Sequence, residues 1–169
     1  MAETAHIAVA ANFTSVAEDL AHVFEAKTGH EVVLSFGSSG QLYAQITQAA
    51  PFDAFLSADV ERAQKALDEG HAVKGSFFVY AEGRLALYGP TVQPTDGLVA
   101  LQSPFSRLAI ADPDTAPYGK AGVETLVALG MFAEMQSKLV LGENVAQTLQ
   151  FVESGNAELG FVAVSQVMG

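Results

Sequence analysis

Four short stretches of this 169-residue chain share one design: an apolar run ends, small or hydrogen-bonding residues follow, and a helical pattern begins. They are Ala11-Asn12-Phe13-Thr14-Ser15, Gly37-Ser38-Ser39-Gly40, Ala116-Pro117-Tyr118-Gly119 with Lys120 behind it, and Gly142-Glu143-Asn144-Val145. A helix start offers N–H groups with no intrahelical acceptor and the positive end of the helix dipole, which together suit an anion. Glycine lets the backbone approach closely, and serine or asparagine adds donors. One such stretch alone is an ordinary N-cap. Four in succession, two in each half of the chain, are expected to line a cleft with neutral donors.

The missing charge narrows the ligand. A nucleotide-binding loop closes on Lys-Ser/Thr to meet the β and γ phosphates, whereas Gly40 is followed by Gln41-Leu42-Tyr43. A small, fully deprotonated dianion can be held by dipoles alone. Hydrogen bonds to a charged group contribute about 1.5 to 3 kcal/mol each. Some five or six of them, less an association cost of at least ~4 kcal/mol, reach the ~8 kcal/mol of micromolar binding. Neutral donors do not separate one tetrahedral oxyanion from another, so sulfate and phosphate stay open as ligands.

Two other chemistries fit less well. A serine hydrolase would use Ser38 or Ser39 at the strand-to-helix turn, but Gly-Ser-Ser-Gly is not the G-x-S-x-G of a nucleophile elbow. His6, His22, His30 and His71 all lie in the first half, with His22 on a helix and His30 just past a helix end, so a triad base is missing. A cation site could draw on Asp112 and Asp114, or on Asp53 and Asp59. Aspartates spaced i, i+2 beside proline are turn formers, no glycine-spaced calcium loop accompanies them, and Asp53 and Asp59 are expected to brace the first half. The expectation is a non-enzymatic binder with no cofactor and no direct protein–metal ligand.

Placing these loops requires an α/β fold. Apolar runs over 6–11, 31–36 and 52–57 read as strands. Between them Val16, Leu20, Val23 and Phe24 mark an amphipathic helix, and Leu42, Ile46 and Ala50 line the next, stopped by Pro51. A third helix is expected over 60–69. Residues 76–88 form a long β-rich stretch and 90–97 a loop. Strands follow at 108–111, 138–141 and 159–163, with helices over 122–129 and along Val145, Leu149 and Val152. Strand and helix alternating over short connections predicts mostly parallel sheets flanked by helices, in two lobes, 1–79 and 80–169, with a two-strand hinge near 78–81. No repeat at a fixed period links the lobes.

Composition agrees with a globular chain. Half the residues are hydrophobic, there is no cysteine, and 19 acidic residues face 8 basic ones for a net charge of −11. That surface repels nucleic acid and anionic membranes, although exposed charges are screened beyond ~8 Å at physiological salt, so local donors prevail at contact. No apolar run approaches the ~18 residues of a membrane helix. The opening Met1-Ala2-Glu3-Thr4 lacks a basic stretch followed by an apolar core, so no export signal is read there.

Taken together, "VAANFTSVAEDLAHVFEAKTGHEVVLSFGSSGQLYAQI", Ala50-Pro51-Phe52-Asp53 leading to "FLSAD", "IADPDTAPYGKAG" and "LGENVAQTLQFVESGNAELGFVAVSQV" strongly resemble the periplasmic molybdate-binding proteins of ABC transporters, in order and over essentially the whole chain. The resemblance implies a periplasmic-binding-protein type II-like fold whose lobes close over molybdate or tungstate for delivery to a membrane permease, in the periplasm and with the leader removed. By motif it implies ligand contacts from Ala11, Asn12 and Ser39 in the first lobe, and backbone N–H groups of Tyr118 and Val145 in the second. Where some relatives place a tyrosine on the last strand, this chain has alanine in Gly160-Phe161-Val162-Ala163-Val164. Family members also cross back and add a C-terminal stretch to the first lobe. Here that stretch is expected to be missing, leaving an apolar face that self-association could cover.

Overall fold

The computed structural model describes residues 2–90, 92 and 97–168, in two compact units, Met1–Glu82 and Gly83–Gly169. The first unit runs β1 (Thr4–Ala10), a 3-10 turn (Ala11–Phe13), α1 (Thr14–Thr28), β2 (Glu31–Gly37), α2 (Ser39–Thr47), β3 (Ala54–Leu56) and α3 (Val60–Asp68). Its strands are all parallel in the order β2-β1-β3, with Ile7 opposite Leu34 on one side and Ala54 on the other. Gly29 ends α1 in the left-handed conformation, φ 72°, and returns its N–H to Glu25 O at 2.8 Å, a C-terminal stop that suits glycine.

The second unit holds β4 (Leu85–Tyr88), α4 (Gly97–Gln102), β5 (Leu108–Ala111), α5 (Pro117–Ala128), α6 (Phe132–Met135), β6 (Leu139–Gly142), α7 (Val145–Glu153), β7 (Leu159–Ala163) and α8 (Val164–Val167). The sheet order is β4-β7-β5-β6, parallel except for β4, which runs antiparallel to β7. β5 is buried along its whole length and reads as an unbroken apolar run, as a strand covered on both faces should. Leu108 and Ile110 join Leu101, Leu126, Met135 and Phe161 in the main core.

The two units repeat one topology without repeating sequence. The order β2-β1-β3 has its counterpart in β6-β5-β7. In each, the chain winds to one side of the central strand, β1 or β5, and then to the other. Open α/β sheets bind ligands at such a reversal, at the carboxyl ends of the strands.

Several expectations are corrected. The β-rich stretch over 76–88 forms a strand only at Leu85–Tyr88, where β7 supplies a ladder partner. Residues 76–84 pair with no strand among the described residues, so their apolar alternation does not become a sheet, and the expected strand pair is absent there. The apolar stripe of α1 faces outward, with Leu20 56% and Val23 50% exposed, while small Ala17 is the residue buried. α5 starts at Pro117, five residues earlier than expected, because proline's fixed φ suits a first helical position. Lys138 closes a 3-10 turn instead of opening β6. Of the loop expected over 90–97, residues 91 and 93–96 lie outside the described residues, and Gly97 opens α4.

Candidate functional site

In the first unit, β1 and β2 end side by side, with Ala10 opposite Gly37, so the loops carrying Ala11–Asn12 and Ser38–Ser39 leave from adjacent strand ends. Ala11 is buried, and its carbonyl accepts the Thr14 hydroxyl at 3.0 Å. The carboxamide oxygen of Asn12 is buried as well. The two serines have different tasks. Ser38 caps α2: its hydroxyl accepts the Gln41 N–H at 3.3 Å, the Gln41 side chain accepts the Ser38 N–H at 3.2 Å, and its carbonyl accepts the Leu42 N–H at 3.0 Å. This reciprocal capping box commits the Ser38 N–H, carbonyl and one hydroxyl lone pair to the start of α2. Ser39 is fully buried, and its Oγ accepts the Ala58 N–H at 2.9 Å. With an acceptor position filled, the hydroxyl hydrogen is left to donate. The amides of Ser39 and Gly40 are the first-turn N–H groups that the capping box does not reach.

The third strand end closes this arrangement. Asp59 caps α3 by accepting the Arg62 N–H at 2.9 Å and the Ser57 hydroxyl at 3.1 Å. The Arg62 guanidinium pairs with the same carboxylate, both side chains being mostly buried. A carboxylate one residue from Ala58 would repel an anion; its own arginine offsets it. α2 is further tied to the end of α3 by the Tyr43 hydroxyl, which donates to Glu69. That bond, with the Glu69 charge, pushes the Tyr43 phenol up to about 12.

The second unit repeats the pattern. β5 and β6 end in register, Ala111 opposite Gly142, and the Asp112 N–H continues the ladder to Gly142 O at 2.8 Å. Pro117 has no N–H, and the amides of Gly119 and Lys120 both reach Ala116 O, at 3.0 and 3.1 Å. The first N–H of α5 is therefore that of Tyr118, a buried residue. A Cβ at position 119 would overlap the Ala111 carbonyl, so only glycine lets α5 start this close to β5. At α7, Asn144 Oδ1 accepts the N–H groups of Ala146 and Gln147 at 3.0 and 3.1 Å, and Asn144 O accepts that of Thr148 at 3.1 Å. The cap passes over one amide, that of buried Val145. The Val145 carbonyl is held by Gln166 Nε2 at 3.3 Å.

Ala58 and Gln166, which brace these donors, carry no motif in the sequence. Ala58 acts through its backbone. Gln166 is a single polar side chain just past an apolar strand. The other carboxylates have structural partners: Asp53 Oδ2 accepts the His6 N–H at 2.8 Å, and Asp112 Oδ1 accepts that of Asp114 at 2.9 Å. As for a hydrolytic pairing, Ser38 meets Gln41 and Ser39 meets Ala58. Histidine 30 accepts the Glu3 N–H, and His71 lies beside Glu69.

The bacterial extracellular solute-binding protein family matches residues 5–169. The chain belongs to that family. It is a family of solute-binding proteins, not of enzymes. Over 163 residues, 96% of this chain, the sequence is 49% identical to the molybdate-binding protein ModA of Rhodobacter capsulatus. Over 95% of this chain it is 50% identical to that of Azotobacter vinelandii. The chain spans 65% of the length of each of these relatives. Its fold matches that of the Azotobacter vinelandii periplasmic molybdate-binding protein with a TM-score of 0.90 and 40% identity, covering 94% of this chain and 71% of the other. The α/β architecture, parallel sheets flanked by helices, is that of the periplasmic binding proteins.

Proposed function

We propose that this solute-binding protein takes up molybdate or tungstate through Ala11, Asn12, Ser39, Tyr118 and Val145, and hands the anion to an ABC-type permease from the periplasm. The observation that carries the reading is the state of the donors. Each cap satisfies its own helix and passes over an inner group: the hydroxyl hydrogen of Ser39 in one unit, the amide of Val145 in the other. Near half identity to proteins named as molybdate-binding supports the choice of anion. A site made of donors favours an oxyanion with no proton of its own. Phosphate near neutral pH keeps a proton that would meet another donor, whereas molybdate, tungstate and sulfate only accept, so size must reject sulfate.

The lobes 1–79 and 80–169 and a hinge near 78–81 belong to the same proposal, in which the ligand biases an open–closed equilibrium. The lack of ladder pairing over 76–84 supports flexion there. Self-association with a second copy through the exposed α1 stripe belongs to it too.

Titration calorimetry with molybdate, tungstate, sulfate and phosphate tests the reading. Tight binding of the first two and none of the others is expected. Heat from sulfate or phosphate alone would transfer the site to another oxyanion, and turnover of a chromogenic ester would move the chain to another class.

A further inference from the structure

The equivalence of the two topologies shows a device that the donor inventory leaves out. In the first unit, the helix after the second strand is tied to the end of the third: Ser39 Oγ, at the start of α2, accepts the N–H of Ala58, just past β3. In the second unit the same two places, the start of α7 and the end of β7, are joined by one carboxamide. Gln166 Oε1 accepts the Ala163 N–H at 2.9 Å while its Nε2 donates to Val145 O at 3.3 Å. The residue so fixed, Val145, is the one whose own amide the Asn144 cap passes over.

We propose that Gln166 is a positioning residue of the oxyanion site, bridging the last strand to the first residue of α7 so that the helix start carrying the Val145 N–H is held in place. This rests on the functional reading above and adds a residue to it. In the first unit the brace and the donor are one side chain, that of Ser39. In the second, the donor is a backbone amide with no side chain to steer it, so the brace must come from elsewhere. A glutamine can do this because it offers an acceptor and a donor at one tip. Both atoms it meets are backbone groups of buried residues, Ala163 and Val145; the Val145 carbonyl, in the first turn of α7, also serves the helix ladder, so Gln166 occupies its second lone pair.

Two substitutions separate the halves of the bridge. Gln166→Leu removes both bonds; Gln166→Glu keeps the acceptor for Ala163 N–H but cannot, as a carboxylate, donate to Val145 O. Amide hydrogen exchange of the ligand-free proteins should show Ala163 losing protection in the leucine variant and keeping it in the glutamate variant. The dissociation constant for molybdate should rise in both, by about tenfold for leucine, the order of one lost hydrogen bond, and by at least as much for glutamate. Unchanged exchange at Ala163 in Gln166→Leu would remove the brace. Parent-like affinity in that variant would reduce Gln166 to ordinary packing. A parent protein that binds neither molybdate nor tungstate would sink the functional reading, and the positioning role with it. The exchange result tells that failure from a failure of the bridge.

Discussion

Ser38 and Ser39 are neighbours of the same type with different work. The sequence makes Gly-Ser-Ser-Gly legible as a helix start but does not say which hydroxyl caps the helix; the capping box with Gln41 decides that. Ser39→Ala removes a donor to a buried dianion and should weaken molybdate binding by about 1.5 to 3 kcal/mol. It also strips the Ala58 N–H of its acceptor, so calorimetry is paired with a melting curve. Ser38→Ala is the control: it should cost stability, ~1 kcal/mol for a lost N-cap, with little change in affinity. If the two variants bind alike, the division of labour is wrong. Ala58 and Gln166 show why the rest of the candidate site is not legible. One contributes a peptide group that any residue has, and the other gains meaning only when the fold brings Val145 and Ala163 within reach of one amide.

At the scale of elements, the strands are legible because parallel strands covered on both faces read as apolar runs. Leu108-Ala109-Ile110-Ala111 and Leu159-Gly160-Phe161-Val162-Ala163 stand where expected. Residues 76–84 mislead because alternation states a preference, and a strand still needs a partner. α1 misleads because a helix with apolar residues on two sides does not announce which side the sheet will take. A less visible connection holds β5 and β7 together at their amino ends. The Glu158 carboxylate accepts the N–H groups of Ser106 and Arg107 at 3.2 and 2.9 Å. Desolvation pushes this carboxyl up, but the backbone N–H groups outweigh it and hold it below the usual 4.5. A pKa lowered by folding gives stability that is present above the unfolded value and fades as the pH falls through the folded one. The difference in urea midpoint between the parent and Glu158→Gln should therefore be full at neutral pH and shrink on acidification below about pH 4.5. A difference that stays constant into acid would remove the carboxylate from the account.

At the scale of the molecule, the units differ in how much they bury. The second packs large residues such as Leu108, Ile110, Leu126 and Met135 into its core; the first buries mainly alanines with Val9 and Leu42. Val16, Leu20, Val23 and Phe24 are meanwhile exposed on α1. Pairing of two copies through that stripe would bury it against the resistance of a net charge of −11 per chain. Sedimentation across a concentration series should thus show association that strengthens as added salt shortens the screening length from ~8 Å. A single monomeric species at every concentration and salt would remove self-association from the proposal. The central claim concerns the anion and its neutral donors, and the most direct measurement is a crystal structure of the tungstate-soaked protein with tungsten located by anomalous scattering. The account predicts one peak held by the Asn12 and Ser39 side chains and by backbone N–H groups that include those of Tyr118 and Val145. No peak there, or a peak gripped by lysine or arginine, would contradict it.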